Sequence, residues 1–128
     1  MRKLYSLTLS LLLIVTLSAC KKSNVDDETA DLYTNKAKDV IELLLDLNYE
    51  EVHAQFNEEM KELLPVSDMN DLTPLIEKVG DFEEYEVSAV EERDGYYVTV
   101  VVTKHENGKL GFTVSFEEDG RIAGLFIK

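Results

Sequence analysis

Cysteine is nearly missing from this sequence: Cys20 is the only one in 128 residues. One thiol cannot form a disulfide within the chain, so the fold depends on packing without cross-links. The length allows one domain, and a domain of about 100 residues can bury a core without disulfides or metals. A hydrophobic share of 45% supplies the side chains for such a core.

Basic residues are also few, with 13 lysines and arginines against 26 acidic residues and a net charge of −13. Cleavage of residues 1–19 would remove Arg2 and Lys3 and leave 11 basic and 26 acidic residues, a net charge of −15. A surface this negative repels phosphate backbones, which argues against nucleic-acid binding. The simplest consequence of the acidity is solubility.

Motifs of nucleotide-binding and hydrolytic enzymes are missing as well. The sequence has no glycine-rich phosphate loop, no dinucleotide fingerprint and no Gly-x-Ser-x-Gly elbow, and all six glycines lie at or after Gly80. A calcium loop starting at Asp68 fails the EF-hand pattern at Leu72 and lacks the required glycine. Paired carboxylates recur along the chain. They could perform acid–base chemistry if buried, but are expected at turns and helix surfaces, where water hydrates them.

Two histidines are the remaining candidates for chemistry. His53 lies in a predicted helix and is expected at the surface, because a lone helical histidine beside Glu50 and Glu51 is usually exposed. To act as a general base it would need a partner and a substrate cavity. His105 ends a predicted strand next to a turn and is expected to be exposed. Two distant histidines without a free cysteine do not form a zinc site, so the sequence predicts no metal, no cofactor and no catalytic residue.

The N-terminal segment has the three parts of a secretory signal. Basic Arg2 and Lys3 precede an apolar stretch, residues 4–17, that is too short and too polar to span a bilayer comfortably. The stretch ends in Leu17-Ser18-Ala19-Cys20, which resembles the lipobox of bacterial lipoproteins. The resemblance implies cleavage between Ala19 and Cys20 and attachment of diacylglycerol, with palmitate chains, to the Cys20 thiol. The protein is then expected on the cell membrane, lipid-anchored and facing outside the cytoplasm.

The domain boundaries follow from this assignment. Residues 1–19 are the predicted signal peptide, and residues 20–29 are the lipidated cysteine with a flexible tether that lacks apolar periodicity. Residues 30–128 form a single predicted domain. Two acyl chains hold a protein stably on a membrane, whereas one chain anchors it only marginally.

Apolar residues at helical spacing predict three helical segments at the start of the domain. Pro65 turns the chain after the second segment, and Gly80 is typical of a helix end. The third segment could start at a cap formed by Ser67 or Asp68, or equally at Thr73-Pro74. The three apolar faces are Ala30, Tyr33, Ala37, Val40, Ile41, Leu44 and Leu45; Tyr49, Val52, Phe56, Met60, Leu63 and Leu64; and Leu72, Leu75, Ile76 and Val79.

After Gly80 the apolar period changes to two, which predicts four strands. The first alternates from Tyr85 to Ala89, and three more strands follow over residues 96–103, 110–116 and 122–127. Asp-Gly or Asn-Gly pairs separate neighbouring strands, as expected for hairpin turns. The predicted fold class is therefore α+β, with N-terminal helices packed on a four-stranded antiparallel sheet.

This order resembles the nuclear transport factor 2-like, or cystatin-like cone, superfamily, and within it the family called domain of unknown function 3887. The resemblance covers residues 30–128 and rests on the long apolar helix and on "NYEEVHAQFNEEMKELL", "VGDFEEYE" and "FTVSFEEDGRIAGLFIK". It departs at Pro74, which interrupts a helix that is continuous in relatives. The resemblance implies a curved, cone-like sheet that wraps the first helix and leaves a conical cavity.

Aromatic side chains are the candidates for lining such a cavity, although core packing accounts for them as well. These candidates are Tyr33, Tyr85, Tyr97, Phe112 and Phe116. The sequence thus favours a membrane-tethered, extracytoplasmic module that binds a small ligand or a protein. The alternative is a small isomerase-like or dehydratase-like enzyme with an acid or base inside the cavity. A homodimer through the strand "YYVTVVVT", which is apolar on both faces, is also open.

Overall fold

The structure, a computed structural model, describes residues 24–128, and in this range the predicted α+β class is confirmed. Helices lead and a sheet follows. The helices are α1 (Asp27–Leu45), α2 (Tyr49–His53), α3 (Glu58–Leu63), α4 (Val66–Met69), a 3₁₀ turn (Asn70–Leu72) and α5 (Thr73–Val79). The strands are β1 (Phe82–Arg93), β2 (Tyr96–His105), β3 (Gly108–Phe116) and β4 (Ile122–Ile127). They form one antiparallel meander in the order β1-β2-β3-β4.

Helix α1 begins earlier than the sequence predicts. Residues 27–29, assigned to a flexible tether, are its first turn, because the Asp26 side chain caps the helix by accepting a hydrogen bond from the Thr29 amide at 2.8 Å. The chain is held even before this cap. Asn24 donates to the Glu92 carbonyl and accepts from the Glu92 amide, at 2.9 and 2.8 Å. The tether assigned to residues 20–29 is thus wrong over residues 24–29, which are held against the domain.

The second predicted helical segment is broken into shorter pieces. Phe56 lies between α2 and α3, where it forms a parallel bridge with Ile122 and is completely buried. Asn57 then starts α3 by accepting a hydrogen bond from the Met60 amide at 2.8 Å. Leu63, predicted on the apolar face, is instead 72% exposed, because α3 ends there after six residues. Of the two predicted starts of the third segment, Thr73-Pro74 starts α5, and Gly80 ends this helix with φ of 80°, as predicted.

Strand β1 is longer and less regular than predicted. It begins at Phe82 and carries two register shifts against β2, between Phe82 and Glu84 and between Tyr85 and Val87. Such bulges insert an extra residue and bend the strand. They turn the side chains of Phe82 and Tyr85 to the same side of the sheet, toward the end of α1.

The core lies between α1 and the inner face of the sheet, with the short helices closing one side. Side chains of β2 and β3 alternate between buried and accessible, as one covered face requires. The completely buried large side chains are Phe56, Phe112, Phe116, Ile41, Leu44, Met69, Leu110, Ile122, Val40, Val52, Val101 and Val114.

Within residues 24–128, no helix covers the opposite face of the sheet. Its central residues are largely apolar, and we call them the outer sheet face: Val87, Ala89, Val98, Val100, Val102 and Phe126. Phe126 is 72% exposed and Val87 57%. At one end of this face, Lys109 pairs with Glu86 at 2.8 Å and Lys104 with Glu83 at 3.6 Å.

Candidate functional site: a cleft at the carboxyl end of the first helix

Most of the predicted cavity-lining aromatics belong to the core. The Tyr33 ring stacks on the Tyr97 ring with centroids 4.3 Å apart and lies 5.6 Å from the Phe116 ring. Phe112 is completely buried. The space between α1 and the sheet is therefore filled by Tyr33, Tyr97, Phe112 and Phe116. Of the five candidates, Tyr85 alone lines a cavity near the end of α1.

Two adjacent cavities lie where α1 ends and β1 begins. The first has a volume of about 290 Å³ and is lined by Glu42, Leu45, Asp46, Phe82 and Tyr85. The second, about 210 Å³, is lined by Leu45, Asp46, Ile76, Gly80, Asp81, Phe82 and His105. The two share Leu45, Asp46 and Phe82, so we treat them as one cleft. Its floor is apolar and aromatic, and its rim is acidic.

The end of α1 sets one wall of the cleft. The Asn48 amide donates to the Leu43 carbonyl at 2.8 Å and the Leu47 amide to the Leu44 carbonyl at 2.9 Å, which is a Schellman motif. Leu47 occupies its left-handed position with φ of 61°, where glycine is usual. The last turn has no basic residue, although Glu42 and Asp46 lie at its end. The negative end of the helix dipole and two carboxylates therefore face the same space.

The turn between α5 and β1 sets the opposite wall. Gly80 has a left-handed φ, and a Cβ there would lie 2.9 Å from the Glu106 Oε1 atom, so glycine fits best. The Asn107 amide donates to the Val79 carbonyl at 2.7 Å, and the Glu106 amide donates to the Asp81 carbonyl at 2.9 Å. These bonds hold the turn against the β2–β3 hairpin and place Phe82 at the cleft.

Tyr85 is the most polar part of the aromatic floor. Its hydroxyl donates to Glu42 Oε2 at 3.5 Å, and its ring lies 4.9 Å from that of Phe82. The Lys38 ammonium group sits 4.6 Å from the ring centroid, a cation–π contact. Burial, followed by the negative charge of Glu42, raises the pKa of Tyr85 to about 12, so the hydroxyl remains a neutral donor at ordinary pH.

His105 is buried, contrary to the prediction that it is exposed. Only 3% of its surface is accessible, because the chain at Gly80–Phe82 folds over it and the Phe82 ring packs edge-on at 5.8 Å. Nδ1 lies 3.2 Å from the Gly80 carbonyl, which can only accept, so Nδ1 carries the proton. Nε2 then accepts from the Thr103 hydroxyl at 2.7 Å. The ring thus ties the Gly80 turn to β2.

The other sequence candidates do not meet at the cleft. His53 is half-buried, with Nε2 3.4 Å from the Lys61 carbonyl and its ring 5.3 Å from that of Phe56. Within residues 24–128, no group of three or more histidine, cysteine or acidic side chains is arranged to hold a metal ion. Ala19 and Cys20 lie outside the described residues. No helix of the described part is long and apolar enough to cross a bilayer.

Sequence reasoning missed most of the cleft: Glu42, Leu45, Asp46, Asp81 and Phe82. The sequence offered a signal for Glu42 and Asp46. A helix usually ends in basic residues, which offset the negative end of its dipole, and this helix ends in acidic ones. Phe82 had no such signal, because it lies before the alternating part of its strand.

Residues 37–125 match the family described as "Protein of unknown function (DUF3887)". The chain belongs to the DUF3887 family. Most of the fold, from the middle of α1 to β4, lies within the matched range of this DUF3887 protein. No curated protein matches the chain.

One solved structure is similar to this DUF3887 protein. It is the NMR structure of a protein from Ruminococcus gnavus ATCC 29149, with 22% sequence identity and a TM-score of 0.66. The similarity covers 80% of this chain and 90% of that chain. At this identity the likeness supports the α+β fold alone.

Proposed function

We propose that this DUF3887 protein is an extracytoplasmic lipoprotein of the nuclear transport factor 2-like superfamily, and that its cleft binds a small ligand. The anchor rests on the lipobox-like Leu17-Ser18-Ala19-Cys20 after an apolar stretch. The binding role rests on one observation, the cleft between α1 and β1. A concave apolar site with a few polar groups at its edge is the usual form of a small-molecule site.

The position of the cleft relative to the anchor supports this role. Asn24 is bonded to Glu92 at the amino end of α1, and four residues of chain from Cys20 span at most about 14 Å. Helix α1 has 19 residues, which corresponds to about 28 Å. The cleft lies at the far end of that helix. This separation leaves the cleft accessible to a ligand from the aqueous side.

An NMR titration tests whether the cleft binds a ligand. The full chain, labelled with ¹⁵N and held in zwitterionic detergent micelles, is titrated with benzyl alcohol while amide shifts are recorded. Saturable shifts are expected at Leu45, Phe82 and Tyr85. The variant Phe82→Ala should lose them, whereas Phe126→Ala, which truncates an exposed phenylalanine on the outer sheet face, should keep them. Absence of saturable shifts with every ring-bearing probe would show that the cleft is not a ligand site.

A cone-fold enzyme is the second candidate, favoured by one observation: His105 lines the second cavity beside Asp46 and Asp81. Against it, both ring nitrogens of His105 are already hydrogen-bonded, so neither is free to accept a substrate proton. The ¹⁵N shifts of the imidazole decide between the two. A fixed Nδ1–H tautomer that ligand does not disturb supports the binding role, and a freely exchanging Nε2 would favour the enzyme.

Self-association through the outer sheet face belongs to the same proposal. A continuous apolar area on a protein with a net charge of −13 is the surface where a second copy meets least repulsion. The ion pairs of Lys104 and Lys109 with Glu83 and Glu86 neutralise the charge at one end of this face. Tethering on one membrane would also raise the local concentration of copies.

A further inference from the structure

We propose that the cleft takes a small organic cation, an ammonium or guanidinium group joined to an apolar body. This inference rests on the proposed binding function and names its ligand class. Three features carry it: the negative end of α1, whose last turn has no basic residue, the acidic rim and the aromatic floor.

The end of α1 carries negative charge that no basic residue of its last turn offsets. Backbone carbonyls at a helix carboxyl terminus carry partial negative charge, which basic residues normally offset. Here Glu42 and Asp46 add two carboxylates to that end, and the last turn has no lysine or arginine. Over residues 24–128 no lysine or arginine forms an ion pair with Glu42, Asp46 or Asp81. A bound cation would relieve this repulsion.

The floor of the cleft suits the remainder of such a ligand. Leu45 and Phe82 line both cavities and Ile76 lines the second, so an aliphatic or aromatic body finds apolar contacts. The Tyr85 ring already holds an ammonium group, that of Lys38, at 4.6 Å from its centroid. An aromatic face beside carboxylates is a recognised arrangement for organic cations. Lys38 brings one positive charge to the edge of this cleft, against the three carboxylates of Glu42, Asp46 and Asp81.

Size limits the ligand to a small molecule. Volumes of about 290 and 210 Å³ lie at or below the lower end of the range for small-molecule sites. The strongly negative net charge of the protein would draw a cation toward the cleft and repel an anion.

Three ring-matched probes test the charge preference: benzylamine, benzyl alcohol and benzoate, each titrated into the full chain in micelles as above. Benzylamine is expected to bind about ten-fold more tightly than benzyl alcohol, and benzoate not at all. The double variant Glu42→Gln, Asp46→Asn should bring benzylamine down to the affinity of benzyl alcohol and leave the alcohol unchanged. The control, Glu58→Gln with Glu59→Gln, removes two exposed carboxylates of α3 and should change neither.

Stability provides an independent readout. The double variant at the end of α1 is expected to raise the Tm, because it removes repulsion; a lower Tm would show that these carboxylates are already compensated and would contradict the inference. Equal binding of amine and alcohol would overturn the cation preference while leaving the cleft a ligand site. Failure of all three probes would overturn the binding function itself.

Discussion

Two threonines on the inner face of β2 show how differently one residue type can contribute to the core. Thr99 and Thr103 are both completely buried. The Thr99 hydroxyl has no hydrogen-bond partner among residues 24–128, whereas the Thr103 hydroxyl bonds Nε2 of His105 at 2.7 Å. A buried polar group without a partner costs free energy, and a paired one becomes costly only when its partner is removed.

The same substitution should therefore have opposite effects at these two positions. Thr99→Val is expected to raise the free energy of unfolding by about 1 kcal/mol, because it replaces an unpaired hydroxyl by a methyl of similar size. Thr103→Val should lower the free energy of unfolding by about 1–3 kcal/mol, since it leaves Nε2 of His105 without a donor. Urea denaturation of both variants provides the measurement. A loss of stability in Thr99→Val would mean that its hydroxyl has a partner after all.

Helix α1 is the element whose two ends differ most. Its amino end follows the usual rules, with an Asp26 cap and acidic Asp27 and Glu28 in the first turn. Its carboxyl end breaks them, because acidic residues and a left-handed leucine stand where basic residues and glycine are favoured. Departures of this kind are typical of functional sites. For this reason we assign the proposed binding function to the cleft at the carboxyl end of α1 and not to the aromatic side chains of the core.

At the amino end, Asp26→Ala is expected to lower the Tm by roughly 4 °C through loss of the cap. Hydrogen bonds from the side chain and amide of Thr29 hold the pKa of Asp26 below its usual value of 3.8. The stabilisation that the Asp26 charge provides is therefore fully present at a pH above 3.8, the pKa in the unfolded chain. It is lost as the pH falls through the lower pKa of the folded state. Thermal melts from pH 7 to pH 2 measure it. Asp26→Asn keeps a capping oxygen and should show no such pH dependence.

At the carboxyl end, Leu47→Gly should raise the free energy of unfolding by about 0.5–1 kcal/mol. The left-handed conformation is strained for leucine and relaxed for glycine, and this gain exceeds the extra entropy of the unfolded chain. Leu47→Ala serves as the control, because alanine keeps the strain and loses the side chain. Chemical denaturation of both variants distinguishes the effects. Equal stabilities of the glycine and alanine variants would show that strain at Leu47 is negligible.

For the whole molecule, the anchor is the first proposal to test. Replacement of Cys20 by Ala is expected to move the protein out of the membrane fraction or to leave it unprocessed, because the thiol is the only site for diacylglycerol. Fractionation of cells followed by mass spectrometry of the N-terminus provides the measurement. Ser18→Thr retains Ala19 and Cys20 and is a suitable control. An unchanged membrane fraction for Cys20→Ala would contradict lipid anchoring.

Self-association is the second proposal at this scale. Val100→Glu places a charge in the middle of the outer sheet face and should abolish any dimer, because like charges would meet across the interface. Leu63→Glu, which charges an exposed leucine of α3, should leave the dimer intact. Sedimentation of the full chain in detergent, over a range of concentrations, reports the assembly. A monomer at every concentration for the unmodified chain would exclude the dimer.

Patterns within single elements were enough to predict much of the fold. The face of α1 with Tyr33, Ala37, Val40 and Leu44 is buried as the spacing indicates, and the period of two after Gly80 predicts the meander. The predictions that were wrong concern residues whose position depends on a segment far away in the chain. Phe56 leaves the helix because Ile122 bonds the chain beside it, and His105 is buried because the Gly80 turn covers it. The periodicity of the nearby sequence does not predict contacts of this kind.

The sequence by itself therefore determined the α+β class, the order of its elements and the lipobox-like motif around Cys20, because each depends on residues close together in the chain. Only the tertiary structure decided which aromatics fill the core and which border a cleft. Tyr33 and Tyr85 look alike in an alternating or helical pattern, yet one stacks on Tyr97 and the other lies beside Glu42 and Phe82. That difference arises from the bulges in β1 and from the point at which α1 ends, which bring together residues some 40 positions apart.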